Sequence, residues 1–315
     1  MYFNAPHFNT PKNSSAVPGT SRRTLLKYLA AAGAAAASAT ALASCGLGGA
    51  SAGNSRTIRL ISSQVKVYEE PVTIAARLLK DAGWDLQTTF VNDINQPNIA
   101  VANGEADANC FQHMAYLAQF NRDQGLDLVP LFYIRNSPAV LYSYKHKAVT
   151  DLPDGATVSI PVDTANNGRA LFMLRAHGLL DLADGVTVVT ASQQDITANP
   201  RNLKFVEVDQ LSLSQTLEDV DAGFMFQSTA VDAGIHEKAT VIAEEQEDDE
   251  IPYRSIFAGT REFAGSEAAD ALRTAVQSDE VREFFAGYQD GFFQLPWDED
   301  PLPAFDALAA SVTAS

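Results

Sequence analysis

Two cysteines in 315 residues exclude a disulfide-rich framework, so stability has to come from a packed core. Basic residues are scarce as well. Four of the 22 Lys and Arg lie in the first 45 residues, which hold no acid, so the rest of the chain carries 18 against 39 Asp and Glu, a formal net charge of −21. Such a surface repels nucleic acid and anionic headgroups, and neither is expected as a partner. Catalytic signatures are thin. Ser63-Gln64-Val65-Lys66 fits Ser-x-x-Lys but lacks an accompanying Lys-Thr-Gly or Ser-Asp-Asn, and no Gly-x-Ser-x-Gly occurs. His236-Glu237 lacks the second histidine of a zinc site. No catalytic residue, cofactor or metal is expected.

The N-terminus is one-sided in the basic sense. Ser21-Arg22-Arg23-Thr24-Leu25-Leu26-Lys27 precedes an Ala-rich run, Leu29 to Ala43, too short and small-sided to span a membrane, so residues 1–45 read as an export signal. The paired arginines resemble a twin-arginine signal, with general secretory export as the alternative. Leu42-Ala43-Ser44-Cys45-Gly46 resembles the bacterial lipobox, which implies that Cys45 becomes the lipidated first residue. Acyl chains such as palmitate bury many methylenes at about 0.8 kcal/mol each, enough to hold the protein at the outer face of the cell membrane. Residues 46–56, rich in Gly, Ala and Ser, read as a flexible tether.

About 270 residues remain, enough for one large core or two smaller lobes. Thr57 to Ile61 alternates like a strand, a polar loop runs to Glu70, and a helix follows with Pro71 in its first turn and Gly83 past its end. Leu86 to Val91 is the next strand, and this βαβ order predicts a parallel sheet with ligands beyond its carboxyl ends. A short helix is expected at 99–103. Gly104 to Asn109 ends on a cluster of aromatics, an amide and a histidine, from which a helix continues to Arg122.

Further on, 138–144 suits a strand, 150–154 a turn, and Thr157 to Val162 a strand leading through Asp163-Thr164-Ala165-Asn166-Asn167-Gly168 into a helix at 169–180. An anion over the first amides of that helix would be stabilised, and Arg169 adds a planar fork suited to a carboxylate. Strands at 186–189 and 203–208 and helices at 213–220, 268–272 and 279–287 complete the pattern. Glu244 to Glu250 reads as a solvated acidic run.

Several of these stretches resemble one family. Gln96-Pro97-Asn98, Asp107-Ala108-Asn109, Phe111-Gln112-His113 with Tyr116-Leu117, and Asp151 to Val158 are similar to the methionine-binding lipoproteins of bacterial importers, the NlpA or MetQ family. The turn with Asn166, Gly168 and Arg169 and the run Asn199 to Lys204 continue the likeness. It implies an α/β, two-lobed periplasmic-binding-protein fold with a ligand cleft between lobes: residues 57–142 plus 257–315 in one lobe, 143–256 in the other. It also implies that Arg169 binds the carboxylate of an amino acid-like ligand, that Asn166 holds its polar end, and that Phe111, His113 and Tyr116 form a pocket wall. The implied partners are an ABC permease and its ATPase. Two departures bear on the ligand. Phe226, followed by Gln227-Ser228, stands where the family has an asparagine, and Tyr68-Glu69-Glu70 replaces a usual His-Ala-Glu, which makes Tyr68, Phe226 and Ser228 further candidates for the site. Methionine or a related compound is the expected ligand. A bilobal surface sensor or adhesin, not coupled to transport, is the alternative.

Overall fold

The first βαβ unit forms where the hydrophobic pattern places it, and the first sheet is built outward from it. The computed structural model describes residues 56–245, 250–288 and 292–313. The expected signal with Cys45, residues 46–55 of the tether and 246–249 of the acidic run lie outside the described residues.

In chain order the elements are β1 (Thr57–Ser63), α1 (Lys66–Asp81), β2 (Asp85–Val91), α2 (Gln96–Ala102), β3 (Ala108–His113), α3 (Met114–Gln124), β4 (Val129–Arg135) and β5 (Ala139–Ser143). They continue with β6 (Thr157–Pro161), α4 (Thr164–Ala176), β7 (Asp181–Leu182), β8 (Ile196–Ala198), β9 (Lys204–Val208), α5 (Leu213–Thr216), β10 (Ala222–Phe226) and α6 (Gln227–Asp232). Last come β11 (Thr240–Glu244), β12 (Ser255–Gly259), α7 (Arg261–Ala264), α8 (Glu267–Val276), α9 (Asp279–Gly287) and α10 (Pro301–Thr313).

These strands form two five-stranded sheets, ordered β2-β1-β3-β12-β4 and β11-β5-β10-β6-β9, beside a small β7-β8 ladder. The chain passes from the first sheet to the second after β4 and returns after β11. Two sheets with helices on their faces, joined by two crossings, make a two-lobed α/β fold. The strand expected at 138–144 forms as β5 within the second sheet, so the crossing is the short segment Asn136, Ser137, Pro138. On the return, β12 enters the first sheet antiparallel to both β3 and β4.

Each lobe closes its own core. In the first, Val72 and Leu79 of α1 share a cluster with Leu272, Val276, Val281 and Phe285 from α8 and α9, so the chain's tail packs back on this lobe. The other face holds Leu117 of α3 with Phe305 and Val312 of α10. In the second lobe Val158 and Ile160 of β6 meet Leu171 of α4 and Phe224 of β10.

Several elements differ from the sequence pattern for identifiable reasons. Helix α1 begins at Lys66 and carries Pro71 inside it. Pro71 has no N–H to offer the preceding turn, but the entry is secured by the Val65 carbonyl, which accepts from the amides of Tyr68 and Glu69. Residues 186–189 form no strand. That β-branched run packs as a turn against α4, with Val189 fully buried and the Val188 carbonyl pressed over Gly168. The helix expected at 213–220 is regular only over Leu213–Thr216. Helix α10 was not anticipated, because Pro301 and Pro303 look like breakers; at the first turn their missing N–H groups cost nothing.

Candidate functional site

The carboxyl ends of β1, β3 and β4 converge on one cavity. Its first wall is built on β3, which a buried amide cluster steadies. Asn98 donates from Nδ2 to Gln112 Oε1 at 2.9 Å, and Gln112 Nε2 donates to Asn98 Oδ1 and Asn109 Oδ1 at 2.7 and 2.8 Å. Asn109 donates to Asn98 at 2.9 Å, so three amides otherwise expensive to bury satisfy one another. Phe111 and His113, in the cluster from which the pattern ran a helix, lie instead on the strand itself, two residues apart and on one face. Tyr116 lies in the first turn of the helix that follows.

His113 links the two lobes. Its Nδ1 accepts from the Tyr116 amide at 3.1 Å, capping α3. That leaves Nε2 to carry the ring hydrogen, which it donates to Asn166 Oδ1 at 3.0 Å. Burial, reinforced by the positive charge of Arg169 and opposed by the Asn166 hydrogen bond, lowers the His113 pKa to about 3, so the ring is neutral. Tyr116 donates to the Ile94 carbonyl at 3.0 Å, and burial raises its phenol pKa.

The second wall is the start of α4, which begins at Thr164 rather than at Arg169. Asp163 caps it, accepting at 3.0 Å from both the Asn166 amide and Asn166 Nδ2. The expected anion seat over these first amides is therefore held by a carboxylate of the chain. Burial raises the Asp163 pKa, against the hydrogen bonds from Asn166. Arg169 is 2% exposed and its expected carboxylate is also supplied from within. Nε donates to Glu245 Oε1 at 2.7 Å, while Nη2 donates to Glu245 Oε2 and, at 3.2 Å, to the Ser137 carbonyl. The guanidinium stands 4.1 Å from the Tyr253 ring centroid and 5.4 Å from that of Phe226. Glu245, read from the sequence as part of a solvated run, has a side chain only 3% exposed.

Between these walls lies a cavity of about 230 Å³. All eight sequence candidates border it: Phe111, His113, Tyr116 and Tyr68 from the first lobe, Asn166, Arg169, Phe226 and Ser228 from the second. Tyr68 shares a hydrogen bond of 3.3 Å with Ser255, and Ser228 one of 3.4 Å with Ser137. The volume is below the roughly 300–1,000 Å³ of drug-sized sites and suits a solute of amino-acid size. Sequence reasoning missed Arg135 and Tyr253, which also border it. A charge directly after the apolar run Val129 to Ile134 was the one available signal for Arg135. Among the described residues, no cluster of three or more His, Cys, Asp or Glu is placed to hold a metal ion, and no helix is long and apolar enough to cross a membrane.

Two lobes joined by two crossings around a small polar and aromatic cavity define a solute-binding protein. The NlpA lipoprotein family matches residues 62–296, and the chain belongs to that family. The D-methionine-binding lipoprotein MetQ of Salmonella typhi is 33% identical over 244 residues, 77% of this chain and 88% of that one. The methionine-binding lipoprotein MetQ of Bacillus subtilis is 31% identical over 254 residues, covering 79% and 92%. Among solved structures, a nutrient binding protein from Burkholderia cenocepacia bound to methionine superposes with a TM-score of 0.70 at 30% identity, covering 76% of this chain and 99% of that one.

Proposed function

We propose that this protein captures methionine or a closely related amino acid-like compound outside the cell membrane and delivers it to an ABC permease and ATPase. The observation that carries this reading is a cavity of amino-acid size bordered by side chains from both lobes. Closure of the lobes about the segments after β4 and β11 buries the solute, in the manner of hinge-bending binding proteins.

The roles follow from chemistry. Phe111, Tyr116 and Tyr68 offer ring edges and faces to a thioether, whose sulfur is polarizable. Asn166 and Ser228 supply hydrogen bonds, and Phe226 adds a ring face that already lies 5.4 Å from the Arg169 guanidinium. Arg169 Nη1, which takes no part in the Glu245 pair, reaches the solute's polar end. The lipobox reading of Cys45 gives the anchor at the extracytoplasmic face. The reading is of a binding protein rather than an enzyme, since the relatives and solved neighbours are described by what they bind.

The test is a thermal-shift screen of the exported protein, purified in detergent, against L- and D-methionine, the other amino acids and short peptides. A solute binding only the folded form raises the melting temperature in proportion to RT ln(1 + [L]/Kd). A rise with methionine or a relative supports the reading, and no rise across the panel sinks it.

A further inference from the structure

The cavity is bordered by a second buried guanidinium. Arg135 ends β4, is 3% exposed and lies in the cavity wall. Its Cζ is 4.9 Å from the Tyr68 ring centroid and 5.0 Å from that of Phe293. Ring faces attract the positive charge but accept none of the in-plane N–H groups. Nε and Nη1 are buried without a hydrogen-bond partner, and Arg135 forms no ion pair among the described residues. The contrast with Arg169 is direct, because there Glu245 balances the charge.

A buried guanidinium with unmet donors is destabilising unless something supplies an acceptor. We propose that Arg135 receives the anionic group of the bound solute, and that the preferred solutes are net-anionic carboxylates lacking a free ammonium group. This rests on the solute-binding reading above and narrows its class of solute. Of the two buried charged side chains that line the cavity, Arg169 is paired with Glu245 and Arg135 has no ion pair among the described residues, while the Asp163 carboxylate behind the second wall is held by Asn166. Asp93 and Asp209 also border the cavity but are solvent-exposed, and Asp93 Oδ1 already accepts from the amides of Asn95 and Gln96.

The amide acceptors in the buried walls are already engaged, and the carboxylates and amides of Asn92, Asp93, Asn95 and Asp209 border the cavity from its exposed side. Asn166 Oδ1 is engaged by His113, Gln112 Oε1 by Asn98, and position 226 offers a ring instead of an amide. An acylated amino acid, or an acid with oxygen in place of the amine, leaves no ammonium group unpaired.

The experiment titrates the exported protein in detergent with N-acetyl-L-methionine, L-methionine and L-methionine methyl ester, which differ in net charge and share one side chain. Sodium acetate is compared with sodium chloride at equal ionic strength by thermal shift. Wild type is expected to bind the acetylated acid most tightly and the ester at least about tenfold more weakly. Arg135→Gln shrinks that spread to within about threefold, and Arg135→Lys, which keeps the charge, restores part of it.

An Arg135→Gln protein that keeps the wild-type order and spacing overturns the proposal, as does wild type binding the ester as tightly as the acid. In that last case methionine binding survives and only Arg135 leaves the account. If none of the three binds but acetate stabilises wild type and not Arg135→Gln, the anion site stands and the methionine reading falls. If none binds and acetate acts like chloride, both fall.

Discussion

Arg169 grips the carboxylate of Glu245 through Nε, at 2.7 Å, and Nη2, with both side chains almost wholly out of water. One partner sits on α4 and the other follows β11, where the chain leaves the second sheet for the first. The pair therefore holds the start of one crossing against the helix that opens the cavity.

Breaking this pair from the acid side leaves a buried guanidinium unbalanced. Glu245→Gln is expected to lower unfolding stability by about 3–5 kcal/mol in urea titrations. An Arg169→Met, Glu245→Leu double variant is expected to lose less than the single one, because no charge is left stranded. Equal stability of Glu245→Gln and wild type would show that the pair is not formed in solution.

Gly168 is required by a close approach rather than by its backbone angles. A Cβ there would stand 2.1 Å from the Val188 carbonyl oxygen and 3.1 Å from its carbon, both main-chain atoms that cannot rotate away. Gly168→Ala favours the helix intrinsically by about 1 kcal/mol, yet it is expected to destabilise by roughly 1–3 kcal/mol through overpacking. A raised midpoint in chemical denaturation contradicts this packing.

His113 sets an acid limit on stability. Its pKa falls from 6.5 to about 3 on folding, through burial first and Arg169 second. The unfolded chain therefore takes up a proton as pH drops below about 6.5, while the folded chain refuses it until about 3. This contribution is complete above pH 6.5 and drains away as pH falls toward 3. Asp163, whose pKa is raised by burial, works in the opposite direction, and Asp221, lowered by its hydrogen bond from the Thr157 amide, acts only below the usual carboxylate range. Melting temperatures between about pH 7.5 and 4.5 should thus fall more steeply in wild type than in His113→Asn. Identical slopes would remove His113 as the cause.

Much of the scaffold could be read from local pattern. Strand β1 announces itself by alternation, β2 follows where the βαβ order expects it, and α9 matches its expected bounds because Ser278 caps it and its apolar face is periodic. Strand β4 is buried at all seven positions, so it shows no alternation and escaped notice. Val186 to Val189 has the composition of a strand, but its partner is the bare backbone at Gly168 rather than a neighbouring ladder.

Arg169 stood out by its place at a helix start, the other candidates through the family resemblance, and all eight border one cavity. What lay beyond reach was long-range pairing. Glu245 stands 76 residues from Arg169 amid other acids, and nothing local distinguishes it from a solvated neighbour. Arg135 was missed for the complementary reason: its environment is two rings from distant segments.

The central claim is that a small amino acid-like solute occupies the space between the two lobes, and filling that space tests it most directly. Ser228 lies in its wall, 5% exposed, on the short helix α6. In titration calorimetry with methionine and its N-acetyl and ester derivatives, wild type is predicted to bind at least one saturably at a single site, and a folded Ser228→Trp variant to bind none. Binding by Ser228→Trp as tight as by wild type, or no binding by wild type, would contradict the account.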